Sequence, residues 1–199
     1  FGAVVKPGSG TMPVGEVPAE LGRELAREHH LVLLRGFSTF AADAAGAEGF
    51  ADYCGRFGEI SEWPFGKVLE LVEQENPADH IFDNNYVPLH WDGMYRPQVP
   101  EFQIFHCASA PLENQGGRTT FSNTSLALQR VSSRVRESWS RVTGVYHRKM
   151  EFYDSKTVAP LITPHPVKGF PVIRYNEPPR ENDHAFINHP TLAFNGVAS

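Results

Sequence analysis

The chain has 199 residues, 41% of them hydrophobic and 21% charged, enough for one domain with a buried core. A net charge of -5 and a pI near 6.0 exclude the basic footprint that nucleic-acid binding needs. Cys54 and Cys107 alone cannot build a disulfide framework or a Cys-rich zinc module, and no apolar run is long enough to span a membrane, so a cytoplasmic location is expected. The start, Phe1-Gly2-Ala3-Val4-Val5-Lys6, reads as a trimmed terminus and not as a signal peptide.

Pro18 to His30 places Leu21, Leu25 and Ala26 among charges, which predicts a short amphipathic helix opening after a proline. It feeds Leu31-Val32-Leu33-Leu34, a continuous apolar run expected to be a buried strand that turns at Arg35-Gly36-Phe37. From Ala41 to Phe57 the spacing is helical, with Phe50, Tyr53, Cys54 and Phe57 on one stripe and Gly58 as terminator, so Cys54 is expected in the core. Val68 to Val72 and Phe102 to Ser109 read as strands, the latter with Phe102, Ile104, His106 and Ala108 on one face. Thr124 to Trp139 predicts one more helix, with Leu126, Leu128, Val131 and Val135 as its apolar positions and Arg130, Arg134, Arg136 and Arg141 as a solvated face. Val142 to Phe152 returns to strand. Beyond it, Pro160 to Gly169, Pro178-Pro179 and Asn188-His189-Pro190 break the chain into strands and loops.

No repeat or linker divides the sequence. Short strands punctuated by turns, with helices mostly in the first half, predict a mainly β fold with flanking helices, a sandwich or jelly roll. Neither a Gly-x-Gly-x-x-Gly nor a Gly-x-x-x-x-Gly-Lys-Ser/Thr loop is present, which argues against a doubly wound nucleotide-binding sheet.

The chemistry-bearing feature is His90-Trp91-Asp92. On an extended strand, residues two apart share a face, so an imidazole and a carboxylate converge while Trp91 points away. Such a pair is two-thirds of a 2-His-1-carboxylate iron face, and equally an ordinary His–Asp hydrogen bond. Its surroundings separate the two readings. His30-Leu31-Val32-Leu33-Leu34-Arg35-Gly36-Phe37, Arg56-Phe57-Gly58-Glu59-Ile60, His90-Trp91-Asp92, Gly116-Gly117-Arg118-Thr119 and Thr163-Pro164-His165-Pro166-Val167-Lys168-Gly169 occur in the order found in TauD/TfdA-type Fe(II)/2-oxoglutarate-dependent dioxygenases, which the chain resembles over nearly its whole length.

That resemblance implies a double-stranded β-helix (jelly roll) forming a single dioxygenase-like domain over 1–199, Fe(II) held by His90 and Asp92, and 2-oxoglutarate and O2 as cosubstrates. It also implies that Thr119 donates a hydroxyl to the distal carboxylate of 2-oxoglutarate, presented by the Gly116-Gly117 turn. Asp83 to Tyr95 and Glu62-Trp63-Pro64-Phe65-Gly66 look most like the PvcB-type branch, whose members desaturate tyrosine-derived isonitriles in secondary metabolism. A related alternative is hydroxylation of a small amino-acid-like or sulfonate substrate. Tyr86 and Tyr95 flank the pair and are candidates to bound the substrate pocket, with Tyr95 facing away unless Gly93 bends the chain. A small-molecule partner is implied, with no nucleic acid and no membrane.

The pattern departs from the family late in the chain. Family members carry a distal His ligand and an Arg for the 2-oxoglutarate carboxylate, and neither is recognisable before Ser199, so the chain is expected to lack its C-terminal part. His184 and His189 are the late alternatives as ligands. His165 is read as structural, His106 as a hydrogen-bonded core or supporting residue, and His29, His30, His80 and His147 as solvent-facing. Two readings of other classes stand beside the oxygenase: a zinc hydrolase using the same residues to activate water, and a non-catalytic jelly-roll binding module.

Overall fold

The computed structural model describes residues 1–63, 66–75, 82, 86–150, 153–177 and 191–195. His80, His184, His189, Pro64, Phe65 and Asp83 to Asn85 lie outside the described residues, as do Pro178, Pro179 and the turn at Asn188-His189-Pro190. The chain divides into two compact units, one made of Phe1–Leu69 with Phe102–Gly116 and the other of Glu70–Glu101 with Gly117–Ser199.

In the first unit, strands β1 (Ala3–Val5) and β2 (Val32–Leu34) pair in parallel with Ala3 opposite Val32, which requires the crossover that helix α1 (Ala19–His29) supplies. Pro18 precedes the first turn of α1, and His30 ends it in the left-handed region at φ 68°, its N–H closing on the Ala26 carbonyl at 2.8 Å. The strand β2 was expected to be buried. It is only half-covered, with Leu33 43% exposed, because its partner β1 is itself a short strand at the surface.

Helix α2 (Ala44–Gly55) begins at Asp43, whose Oδ1 accepts the Gly46 N–H at 2.7 Å. Its aromatic stripe forms the core of this unit. Phe40 packs against Phe50, Tyr53 and His106 with ring centroids 5.7, 6.0 and 5.5 Å apart, and Phe57 joins Tyr53 to Phe102. Cys54 is half-buried on the same helix, and burial pushes its thiol pKa up to about 11. The predicted alternation holds from Phe102 to Cys107, with Phe102, Ile104 and His106 half-buried and Gln103, Phe105 and Cys107 exposed, and ends at Ala108, which is exposed where the covered face was expected. The segment has no sheet partner among the described residues, so it is extended chain and not a strand. Val68 to Val72 is likewise irregular, with Leu71 and Val72 exposed.

The second unit carries helices α3 (Thr124–Arg130) and α4 (Ser133–Ser140) where one helix was expected. Ser132 explains the break: its hydroxyl accepts the Val135 N–H at 3.3 Å and starts a new helix, while Val131 adopts an extended ψ of 152°. Interrupting the helix changes which residues are covered, so Leu128 is buried whereas Leu126 and Val135 are exposed. Strand β3 (Thr143–Met150) lies between antiparallel neighbours β4 (Tyr153–Pro160) and β7 (Thr191–Asn195). A hairpin of β5 (Ile162–Pro164) and β6 (Pro171–Ile173) follows, its turn closed by His165, whose Nδ1 accepts the Val167 and Lys168 N–H groups at 3.3 Å.

Along β3 the even-numbered positions Gly144, Tyr146 and Arg148 are buried, continuing from Val142 just ahead of the strand, the period-2 pattern of a strand covered on one face. A Cβ on Gly144 would lie 2.7 Å from the Tyr146 hydroxyl and ring, so the glycine makes room for that side chain. Among the described residues no sheet exceeds three strands, and four α-helices accompany seven short strands arranged in three small sheets.

Candidate metal centre

His90 and Asp92 lie in the second unit, on the approach to a turn and not on the strand that the spacing predicted. They nevertheless meet: His90 Nε2 is 3.1 Å from Asp92 Oδ1. Convergence comes from the turn that starts at Asp92, where Gly93 takes φ 69° and the Arg96 N–H closes on the Gly93 carbonyl at 2.9 Å. Trp91 is half-buried between them.

The imidazole has a defined tautomer. Its Nδ1 is 2.7 Å from the Pro88 carbonyl, and a carbonyl only accepts, so Nδ1 carries the proton. In a neutral ring this leaves the Nε2 lone pair aimed at a carboxylate oxygen. Two acceptors facing each other are repulsive unless a cation lies between them, either a proton or a metal ion. The proton alternative is visible in the electrostatics: the hydrogen bond to Asp92 raises the His90 pKa, against the lowering effects of burial and of the Arg148 guanidinium. A neutral nitrogen fixed by a backbone acceptor and set beside a carboxylate is a donor set suited to Fe(II). The residues present therefore fit two positions of such a centre. Among the described residues, no third His, Cys, Asp or Glu joins them in a metal-holding group.

The other predicted site residues are placed as follows. Thr119 is exposed in the irregular segment ahead of α3, after the left-handed Gly116 and Gly117, and His90 makes its hydrogen bonds to Pro88 and Asp92 and not to Thr119. Tyr86 is 43% exposed and donates its hydroxyl to Glu177 Oε2 at 3.1 Å. Tyr95 is 6% exposed, carried inward by the bend at Gly93, and its ring lies under the Arg148 guanidinium at 5.8 Å. Its packing is that of a core residue.

His106 belongs to the aromatic cluster of the first unit, the core position expected of it, and its buried Nε2 has no hydrogen-bond partner among the described residues. His165 serves its turn, as read from the sequence, and His147 reaches Asp154 at 2.7 Å across the β3–β4 ladder. His29 lies beside Glu28 on the outer side of α1.

Sequence reasoning missed Arg148, Arg174 and Glu177. Arg148 and Arg174 are both 7% exposed, and Arg174 stacks its guanidinium 4.9 Å over the Tyr146 ring. The available signal was a charged residue at a buried period-2 position, Arg148 in step with Tyr146 and Arg174 in step with Val172. Glu177 gave no such signal.

Comparison with known proteins sharpens the chemistry. The model of the taurine catabolism dioxygenase TauD, TfdA family matches residues 2–198. The chain is 53% identical over 198 residues to the tyrosine isonitrile desaturase of Pseudomonas aeruginosa, covering all of this chain and 67% of that protein. It is 50% identical over 197 residues to the enzyme of the same name from Erwinia amylovora, covering 99% of this chain and 66% of that one. A solved structure of PvcB, described as an Fe, alpha-ketoglutarate dependent oxygenase from an isonitrile synthetic pathway, superposes with a TM-score of 0.74 at 49% identity and covers all of this chain and 64% of its own. The chain thus spans about two thirds of the length of the relatives it matches. With the match running through both units and the His90–Asp92 pair inside it, the chain belongs to the TauD, TfdA dioxygenase family.

Proposed function

We propose that this protein is an Fe(II)/2-oxoglutarate-dependent oxygenase that desaturates a tyrosine-derived isonitrile. The single observation that carries the site is the facing of His90 Nε2 and Asp92 Oδ1 at 3.1 Å with the imidazole tautomer fixed by Pro88. Identity of 53% to a tyrosine isonitrile desaturase supports the substrate. The family match across residues 2–198 supports one dioxygenase domain of double-stranded β-helix type. Family membership takes the place of the zinc-hydrolase and binding-module readings.

His90 and Asp92 hold the metal, the carboxylate supplying charge and the imidazole a neutral nitrogen. When bound, Fe(II) with 2-oxoglutarate and O2 supplies the oxidising power that removes hydrogen from unactivated C–H bonds. The protein's own part is positioning. Pro88 keeps the His90 proton on Nδ1, Thr119 donates its hydroxyl to the far carboxylate of 2-oxoglutarate, and Tyr86 offers an exposed aromatic face to an aromatic substrate. Tyr95 shapes the pocket from beneath, as support for the turn that carries Asp92. A third protein ligand and an Arg for 2-oxoglutarate come from outside the described residues. No helix among the described residues is long and apolar enough to cross a membrane, which fits the cytoplasmic location we assign, with a small molecule as the partner.

The test uses the full-length protein without oxygen. Adding Fe(II) and 2-oxoglutarate should give a weak visible charge-transfer band, and the His90→Ala variant should lose that band and, once air is admitted, succinate formation as well. A band that survives His90→Ala refutes the ligand assignment. In air, a product two hydrogens lighter than the tyrosine isonitrile supports desaturation, and a product one oxygen heavier refutes it in favour of hydroxylation.

A further inference from the structure

One short segment, Arg174 to Glu177, leaves strand β6 and touches the His90–Asp92 loop on both sides. Upstream, the Glu177 N–H donates to the Leu89 carbonyl at 2.8 Å while Glu177 Oε2 accepts the Leu89 N–H and the Tyr86 hydroxyl, each at 3.1 Å. Leu89 is the residue before His90. Downstream, Arg174 Nη2 donates to the Met94 carbonyl and, at 3.4 Å, to the Arg96 carbonyl, within the turn that begins at Asp92. Ser155 adds a third bond there, its hydroxyl donating to the Tyr95 carbonyl at 2.9 Å. Three successive carbonyls of the turn are thus taken by side chains from elsewhere in the unit.

Arg174 is in turn immobilised. Its N–H donates to the Leu161 carbonyl at 2.8 Å, its carbonyl accepts the buried Tyr146 hydroxyl at 2.6 Å, and its guanidinium lies over the Tyr146 ring. A buried guanidinium whose bonds go to backbone carbonyls fixes backbone, because each bond it loses would leave a dry donor and a dry acceptor.

We propose that Arg174 and Glu177 are positioning residues that act as a two-ended clamp, setting the separation of His90 Nε2 and Asp92 Oδ1 for the metal. This rests on His90 and Asp92 being ligands. Neither clamp residue touches substrate or metal. Their effect is on how much of the ligand geometry exists before the metal arrives: a preset pair binds without ordering its loop, whereas a loose pair must order the loop as it binds.

The experiment titrates Co(II) into the full-length protein without oxygen, following its visible ligand-field bands, and measures amide hydrogen exchange across residues 89–96 and the urea midpoint on the same variants. Glu177→Ala is expected to weaken Co(II) binding about 10- to 100-fold, the range seen when supporting partners of ligands are removed, and to speed exchange at Leu89 while the urea midpoint stays close to the parent. Glu177→Gln, which retains a side-chain carbonyl acceptor for the Leu89 N–H, should restore most of the affinity. Arg174→Lys should fall between the parent and Arg174→Met. Unchanged Co(II) affinity in Glu177→Ala overturns the clamp, as does a loss that Glu177→Gln fails to rescue or that simply tracks the urea midpoint. Should Arg174→Met fail to fold, the Glu177 pair decides. His90→Ala separates the two levels: if it retains Co(II) affinity the ligand assignment fails, whereas loss in His90→Ala with none in Glu177→Ala sinks the clamp alone.

Discussion

Replacing Tyr146 with Phe removes a single oxygen from the centre of the second unit. Tyr146 is 1% exposed and its hydroxyl donates at 2.6 Å to the Arg174 carbonyl, itself part of a residue only 7% exposed. The ring stays, so the guanidinium stacked 4.9 Å above it keeps its partner. What is lost is one hydrogen bond, and what is left is a buried carbonyl with an unmet acceptor, a cost of about 1–3 kcal/mol. With a urea slope of about 2 kcal/mol per molar, the midpoint should fall by roughly 0.5–1.5 M with the slope unchanged.

The same variant carries a pH signature. Burial pushes the Tyr146 hydroxyl up to about 12, above its ordinary value of about 10. The unfolded chain therefore releases this proton first as pH rises. The parent's advantage over Tyr146→Phe is complete below pH 10 and should shrink between pH 10 and pH 12, since the phenol of the unfolded parent is ionising while the folded one still holds its proton. Comparing the two proteins at each pH cancels the lysines and the other tyrosines. A midpoint shift below roughly 0.3 M at neutral pH, or an advantage that grows with alkali, would refute the role given to this hydroxyl.

The remaining predictions concern the first unit. At pH 8, iodoacetamide should modify exposed Cys107 well before half-buried Cys54, whose thiol is held protonated by a pKa near 11; peptide mass mapping checks the order, and equal rates would contradict it. Gly46→Ala should destabilise the protein by about 1–3 kcal/mol or prevent folding, because the added Cβ falls 1.9 Å from the Ala41 carbonyl oxygen, a backbone atom that cannot swing away. Thermal melting reads this directly, and an unchanged melting temperature would mean that the Ala41 turn yields freely.

Local signals in the sequence located elements well where they were local in origin. The α1 and α2 helices follow from apolar periodicity, α1 also from Pro18 at its start, whereas the Asp43 cap that sets the start of α2 three residues after the expected Ala41 was not read from the sequence. The helix expected from Thr124 to Trp139 failed for an equally local reason, the competing cap offered by Ser132, which apolar spacing does not register. Phe102 to Ser109 shows the limit of pattern reading: alternation specifies an extended chain with two faces, but a strand also needs a neighbour, and that is not written in the segment. At the site, His90 and Asp92 were legible because their spacing is short, although the geometry that joins them is a turn and not a pleat. Glu177 was not legible, since its meaning lies wholly in contacts with Leu89 and Tyr86, and Arg174 was legible only as a charge at a buried period-2 position, its partners Met94 and Arg96 lying on a distant stretch of chain.

That distance has a consequence for how the protein is made. The bonds from Glu177 to Leu89 and Tyr86 and from Arg174 to Met94 close loops of 88, 91 and 80 residues. At the usual pace of about 5–20 residues per second, a ribosome needs on the order of ten seconds between releasing His90 and releasing the segment that grips it. Throughout that interval His90 and Asp92 are side chains of an open loop, and closing a loop of such length is an entropic cost met only once β6 has formed. On the clamp proposed above, the spacing of the His90–Asp92 pair is therefore set only after the segment that grips it has been synthesised.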